Sequence, residues 1–139
     1  MSYIRVWIHA VWATKKRQPL LLENFRKDIF NHIYENCQEK DILIDIVNGH
    51  IDHVHCLLRL KNDQTIKNTI QLMKGESSHW INKQNFFNKK FKWQRGYFAV
   101  SVSESNVQSV RNYIQNQESH HKKMSFQEEY SQFIKEEEF

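Results

Sequence analysis

His53 and His55 flank a single valine in the stretch GHIDHVHCLLRL (49–60), and Tyr113 stands four residues ahead of Gln117 in VRNYIQNQESHHKK (110–123). Along a strand, residues two apart point to the same face, so the two histidines stand side by side with Val54 on the opposite face. Neighbouring imidazoles of this kind can reach one divalent ion. Taken alone, such a pair is more often two strand histidines that hydrogen-bond locally, so a second group has to decide. Tyr113 and Gln117, four apart, share one face of a helix. A tyrosine can attack a phosphodiester reversibly, because a phenolate is both a competent nucleophile and a competent leaving group. Its solution pKa is about 10, so a nearby cation or base must help it ionise. A metal ion held by the histidines would polarise the phosphate and stabilise the departing 3′ oxygen. Without that context, Tyr113 is more often an ordinary residue of an amphipathic helix and Gln117 an exposed one.

These residues need elements to position them. Ser2 to Ala13 is rich in β-branched and aromatic residues and reads as a strand, closed off by the loop containing Pro19, the only proline. From Leu22 the apolar residues Phe25, Ile29, Ile33 and Cys37 recur every three or four positions, which predicts a helix ending near Lys40. Ile42 to Asn48 and His53 to Leu60 read as two strands joined by a turn over Gly49 to Asp52. Asn62 or Asp63 is a candidate cap for a second helix, whose stripe is Ile66, Ile70, Met73, Ser77 and Trp80 or Ile81. Tyr97 to Ser103 alternates as a fourth strand. Ser103 or Ser105 can cap a third helix packed through Val107, Val110 and Ile114. The tail from Ser125 to Phe139 reads as helical, with Phe126, Tyr130 and Phe133 or Ile134 on one side. The order is βαββαβα, which predicts an α+β, ferredoxin-like split βαβ fold: a four-stranded antiparallel sheet, two helices on one face, and a C-terminal helix carrying Tyr113.

The 139 residues suit a single domain over 1–139. No apolar run is long enough to cross a bilayer, and the N-terminal basic residues follow the apolar ones instead of preceding them, so a soluble, cytoplasmic protein is expected. Cys37 and Cys56 lack metal-knuckle or redox spacing and read as small buried apolar residues. The net charge of +4 is concentrated in three clusters: Lys15, Lys16 and Arg17; Lys89, Lys90, Lys92 and Arg95; Arg111, Lys122 and Lys123. Trp12, Phe91, Trp93 and Tyr97 lie among them in the sequence. Cations with flat rings suit the phosphates and unstacked bases of a single-stranded nucleic acid, although a solvated charged surface explains the charges about as well.

His53-Val54-His55 resembles the HUH motif, and Tyr113-Ile114-Gln115-Asn116-Gln117 resembles the YxxxQ helix of the single-tyrosine HUH transposases, which include the insertion sequence 200-like and palindrome-associated enzymes. HAVWATKKRQPLL (9–21), LMKGESSHWIN (72–82), WQRGYFAVSVSES (93–105) and NQESHHKKMSFQEEY (116–130) extend the likeness over nearly the whole chain. The resemblance implies that His53, His55 and Gln117 hold Mg²⁺ or Mn²⁺. It further implies that Tyr113 attacks single-stranded DNA, forming a 5′-phosphotyrosine and freeing a 3′-OH for rejoining without a nucleotide cofactor. A flanking DNA hairpin and a second copy of the chain, as a homodimer, are the implied partners. Candidate DNA contacts are Lys15, Lys16, Arg17, Lys74, Arg95, Lys122 and Lys123. Lys74 is equally explained as a lysine on a helix's polar face. His9 and His50 read better as structural strand histidines, His120 and His121 as surface residues, and Asp52 as a turn former. Rival readings are a host-domesticated relative that nicks palindromes, a DNA-binding module with a vestigial site, and a histidine-based phosphoesterase on the same fold.

Overall fold

A computed structural model describes residues 2–121 together with Glu128 and Ser131. Its strands are β1 (Val6–Ala13), β2 (Leu43–Gly49), β3 (His53–Leu60) and β4 (Phe98–Val102), and its helices are α1 (Glu23–Glu39), α2 (Ile66–Lys83), α3 (Val107–Gln115) and α4 (Gln117–His121). The strands form one sheet in the order β2-β3-β1-β4, and every pairing is antiparallel. This is the ferredoxin-like arrangement expected from the sequence. Of the helix expected over Ser125 to Phe139 only Glu128 and Ser131 are described, both as helix, and the rest lies outside the described residues. None of the described helices is long and apolar enough to cross a membrane.

Each face of the sheet has its own core. Ala10 and Trp12 of β1 and Val54, Cys56 and Leu58 of β3 meet the apolar stripes of α1 and α2, among them Ile29, Ile33, Ile70 and Met73. The other face is smaller: Leu57 packs with Val107 and Ile114 of α3, flanked by Trp7, Ile46 and Tyr113. Alternation along β3 therefore sends His53 and His55 to the α3 face. Both central strands are buried on both faces over most of their length, so their histidines are buried as well.

Three local features differ from the sequence reading. Thr65 caps α2, its side chain accepting the backbone N–H of Asn68 at 3.1 Å, so neither Asn62 nor Asp63 is the cap. A 3-10 turn over Glu104–Asn106 leads into α3, and no side chain caps either segment; Ser103 and Ser105 bond each other at 3.3 Å instead. In β2 the register shifts between Ile44 and Ile46, where Asp45 is an extra residue. The bulge puts Ile44 in the α1 and α2 core and Ile46 in the α3 core, although residues two apart would otherwise share a face.

The aromatic residues that lie among basic ones in sequence separate in space. Trp12, Phe91 and Trp93 are buried in the larger core, with Trp93 edge-on to both Trp12 and Phe91, so they are structural and only Tyr97 of the four is exposed. Both cysteines are free and buried, as expected. Burial, with a smaller effect of Glu76, pushes the Cys37 thiol up to about 12.

Candidate active site

β3 begins at His53, directly after a turn that the fold ties down from three sides. The backbone N–H of Thr14 donates to the Asp52 carbonyl at 2.9 Å, that of Leu21 to Ile51 at 2.8 Å, and that of His50 to His53 at 3.1 Å. Gly49 ends β2 at closest approach, where an added Cβ would sit 2.1 Å from the His53 carbonyl oxygen. His53 and His55 are fully buried, and their ring centroids are 5.1 Å apart.

The sequence places Tyr113 and Gln117 on one continuous helix; the structure breaks that helix at Asn116, so Tyr113 belongs to α3 and Gln117 opens α4. The end of α3 is fixed by Asn48, whose amide donates to the Ile114 and Gln115 carbonyls at 2.9 and 3.1 Å. Arg111 anchors the middle of the helix, its guanidinium gripping both carboxylate oxygens of Asp45 at 2.7 and 2.8 Å. The Asp45 hydrogen bond and charge raise the Arg111 pKa further. The bulge supplies this anchor, because Asp45 is the residue it adds.

His53, His55, Tyr113 and Gln117 converge. Gln117 is fully buried, and its Oε1 lies 3.1 Å from His53 Nε2. The Tyr113 ring is edge-on to His55, with centroids 5.7 Å apart, and to His9 at 6.3 Å. His9 and Asp52 touch these residues as well. His9 Nε2 is 2.8 Å from His55 Nδ1, and the Asp52 carboxylate is 2.8 Å from His53 Nδ1. The signal for the His9 contact was its place on β1, two residues before Val11, which pairs with His55; only the strand register turns that into proximity.

The donor set suits a small divalent ion. With Nδ1 protonated toward the Asp52 carboxylate, the Nε2 lone pair of His53 would face Gln117 Oε1. The amide is oriented by its own NH₂, which donates to the Tyr113 carbonyl at 3.4 Å. The 3.1 Å between Nε2 and Oε1 is that of a hydrogen bond when Nε2 carries the proton, and is also close to the roughly 3 Å between adjacent ligands of an octahedral ion with bonds of about 2.1 Å. Among the described residues no three His, Cys, Asp or Glu side chains form a metal-holding group.

The family model described as "Transposase IS200 like" matches residues 2–117. The chain belongs to the IS200-like transposase family. It is 28% identical over 115 residues to the transposases for insertion sequence element IS200 of Salmonella typhimurium and Salmonella typhi, covering 78% of this chain and 74% of each relative. Among solved structures, that of a candidate transposase from Deinococcus radiodurans shares the fold with a TM-score of 0.67 at 20% identity, over 84% of this chain and 93% of that one. A REP-associated tyrosine transposase bound to a REP hairpin gives 0.54 at 17% identity, over 84% and 68% of the two chains.

The candidate DNA-contacting cations of this IS200-like chain separate into groups. Lys15, Lys16 and Arg17 form an exposed turn after β1, and Lys16 and Arg17 line a groove together with Arg95. Lys74 donates to the Gln94 and Gly96 carbonyls, both at 2.8 Å, and so holds the loop that carries Arg95. Partial burial lowers its pKa. Lys122 and Lys123 lie outside the described residues, and His120 and His121 are described only as part of the α4 backbone.

Proposed function

We propose that this protein cuts and rejoins single-stranded DNA through Tyr113, with Mg²⁺ or Mn²⁺ held by His53, His55 and Gln117. The observation that carries this reading is the convergence of those four side chains from β3, α3 and α4 on one face of the sheet. The Tyr113 oxygen attacks the phosphorus, the bond to the 3′ oxygen breaks, and that oxygen leaves as a 3′-OH once protonated. The 5′ phosphate stays on the tyrosine until another 3′-OH attacks and releases it. When bound, the metal would supply Lewis acidity toward the phosphate oxygens. The protein's own part is to aim the nucleophile and to hold both histidines in one tautomer, Nδ1–H on each, with Asp52 and His9 as acceptors. The family match and the hairpin-bound transposase of the same fold support a DNA hairpin as the flanking recognition element, and a homodimer completes the proposal.

The test is covalent trapping: purified protein, Mn²⁺ and labelled single-stranded DNA carrying the hairpin of its own locus. A protein–DNA adduct that survives denaturation and disappears with EDTA is the expected result. Firm hairpin binding without an adduct would instead mark a DNA-binding module.

Two further outcomes follow from the supports of the site. Asp52→Ala and His9→Ala should each weaken Mn²⁺ binding roughly 10- to 100-fold by calorimetry, with His9→Gln milder because its amide oxygen can still accept from His55. Unchanged affinity would remove both from the site. Arg111→Ala frees α3 from Asp45 and should slow adduct formation roughly 10- to 100-fold, since small misplacement of a nucleophile is costly, while the melting temperature stays nearly unchanged.

A further inference from the structure

A groove of about 550 Å³ opens beside β1, in the size range of small-molecule sites. Its floor continues the row of side chains that holds the histidines. Val11 pairs with His55 on one side and with Phe98 on the other, and Ala13 pairs with His53. Residues directly opposite in an antiparallel sheet share a face, so His55, Val11 and Phe98 form one line across three strands. Strands lie about 4.8 Å apart, which puts the far side of the groove about 10 Å from His55.

Its walls are basic and held in unusual conformations. On one side Lys16 and Arg17 are consecutive non-glycine residues at φ 57° and 51°, the left-handed region. On the other, Gly96 turns at φ 85° between Arg95 and Tyr97. The walls are tied together: the Lys16 N–H donates to Gln94 Oε1 at 2.8 Å, the Lys15 N–H to Lys92 at 3.1 Å, and Lys74 grips the loop from below. Backbone in rare conformations, over-determined by its surroundings, clusters at ligand clamps. Tyr97, 39% exposed, offers a ring at the mouth.

We infer that this groove is a subsite for one unpaired nucleotide next to the scissile phosphate, its base stacked on Tyr97 and its phosphate held by Arg17 and Arg95. The inference rests on the single-stranded nicking reading. Cations on two walls fit a phosphate, an exposed ring above an apolar floor fits a base, and only an unstacked base offers its face to a side chain. The continuity of the floor with the histidine row makes the occupant a neighbour of the reacting phosphate.

The experiment uses the full chain with Mn²⁺ and its own hairpin DNA, in which each nucleotide of the single-stranded flank is replaced in turn by an abasic residue. Adduct rate and equilibrium binding, by fluorescence anisotropy, are measured for the wild type, Tyr97→Ala and Tyr97→Phe. One abasic position adjoining the cleavage point should cost the wild type roughly tenfold. Tyr97→Ala should lose a similar factor on intact DNA and be indifferent to that position, whereas Tyr97→Phe should behave like the wild type. Independent, multiplying losses, or no sensitive position, would overturn the subsite. Absence of any adduct with intact DNA would sink the nicking reading instead; the binding series would then decide on the groove by the same coupling.

Discussion

Tyr113→Phe is expected to abolish the covalent adduct, by at least about a thousandfold, while hairpin binding and the melting temperature stay close to the wild type. The substitution removes one oxygen and keeps the ring, which is half-buried at the edge of the smaller core and edge-on to His9 and His55. The ring packing is therefore preserved while the nucleophile is lost. Water attack at the same phosphate would give hydrolysis without an adduct, so the gel and a product assay are read together. An adduct that persists at wild-type level would place the nucleophile elsewhere and undo the role given to α3.

Gly49→Ala is expected to be the most damaging single substitution for the fold. The new Cβ would meet the His53 carbonyl oxygen at 2.1 Å, with Phe30 Cζ and Val54 Cα both at 3.0 Å. Two of those three contacts are backbone, so no side-chain rotation relieves them. Either the β2–β3 turn opens or α1 moves away, at a cost of about 2–4 kcal/mol on the scale of overpacked sites. That corresponds to a fall in melting temperature of roughly 10 °C for a chain of this size. Because the clash lies at the first residue of β3, Mn²⁺ affinity should fall along with stability. A variant that melts within a degree or two of the wild type would show that the turn can relax.

How much of this was legible in the sequence depended on whether a feature is local. Alternation in β3 put His53 and His55 on one face without help from a second element; four-residue spacing put Tyr113 near Gln117, although the break at Asn116 assigns them to two helices. The pattern βαββαβ led to the sheet. The meeting of His9 with His55 could not be read because it is set by strand register, which a single strand does not encode. The bulge at Asp45 was invisible for a similar reason: nothing in LIDIV marks an extra residue, yet it sets the faces of Ile44 and Ile46 and supplies the anchor for Arg111. Trp12, Phe91 and Trp93 misled by proximity in sequence, since composition does not say which way a ring points.

The two faces of the sheet differ in what holds them. Among the described residues, seventeen buried residues make up the core under α1 and α2 and three the core under α3, which the Asp45–Arg111 pair and the Asn48 amide also tie to the sheet. The layer that carries Tyr113 and leads to Gln117 is thus the one with least to lose on detaching. Amide protons of α3 should exchange with deuterium through sub-global opening, at a lower free energy than those of β3 and α1, which await unfolding of the whole domain. At any moment the fraction of molecules folded and the fraction ready to cut are then separate quantities, and a ligand that pins α3 to the sheet raises the second without touching the first.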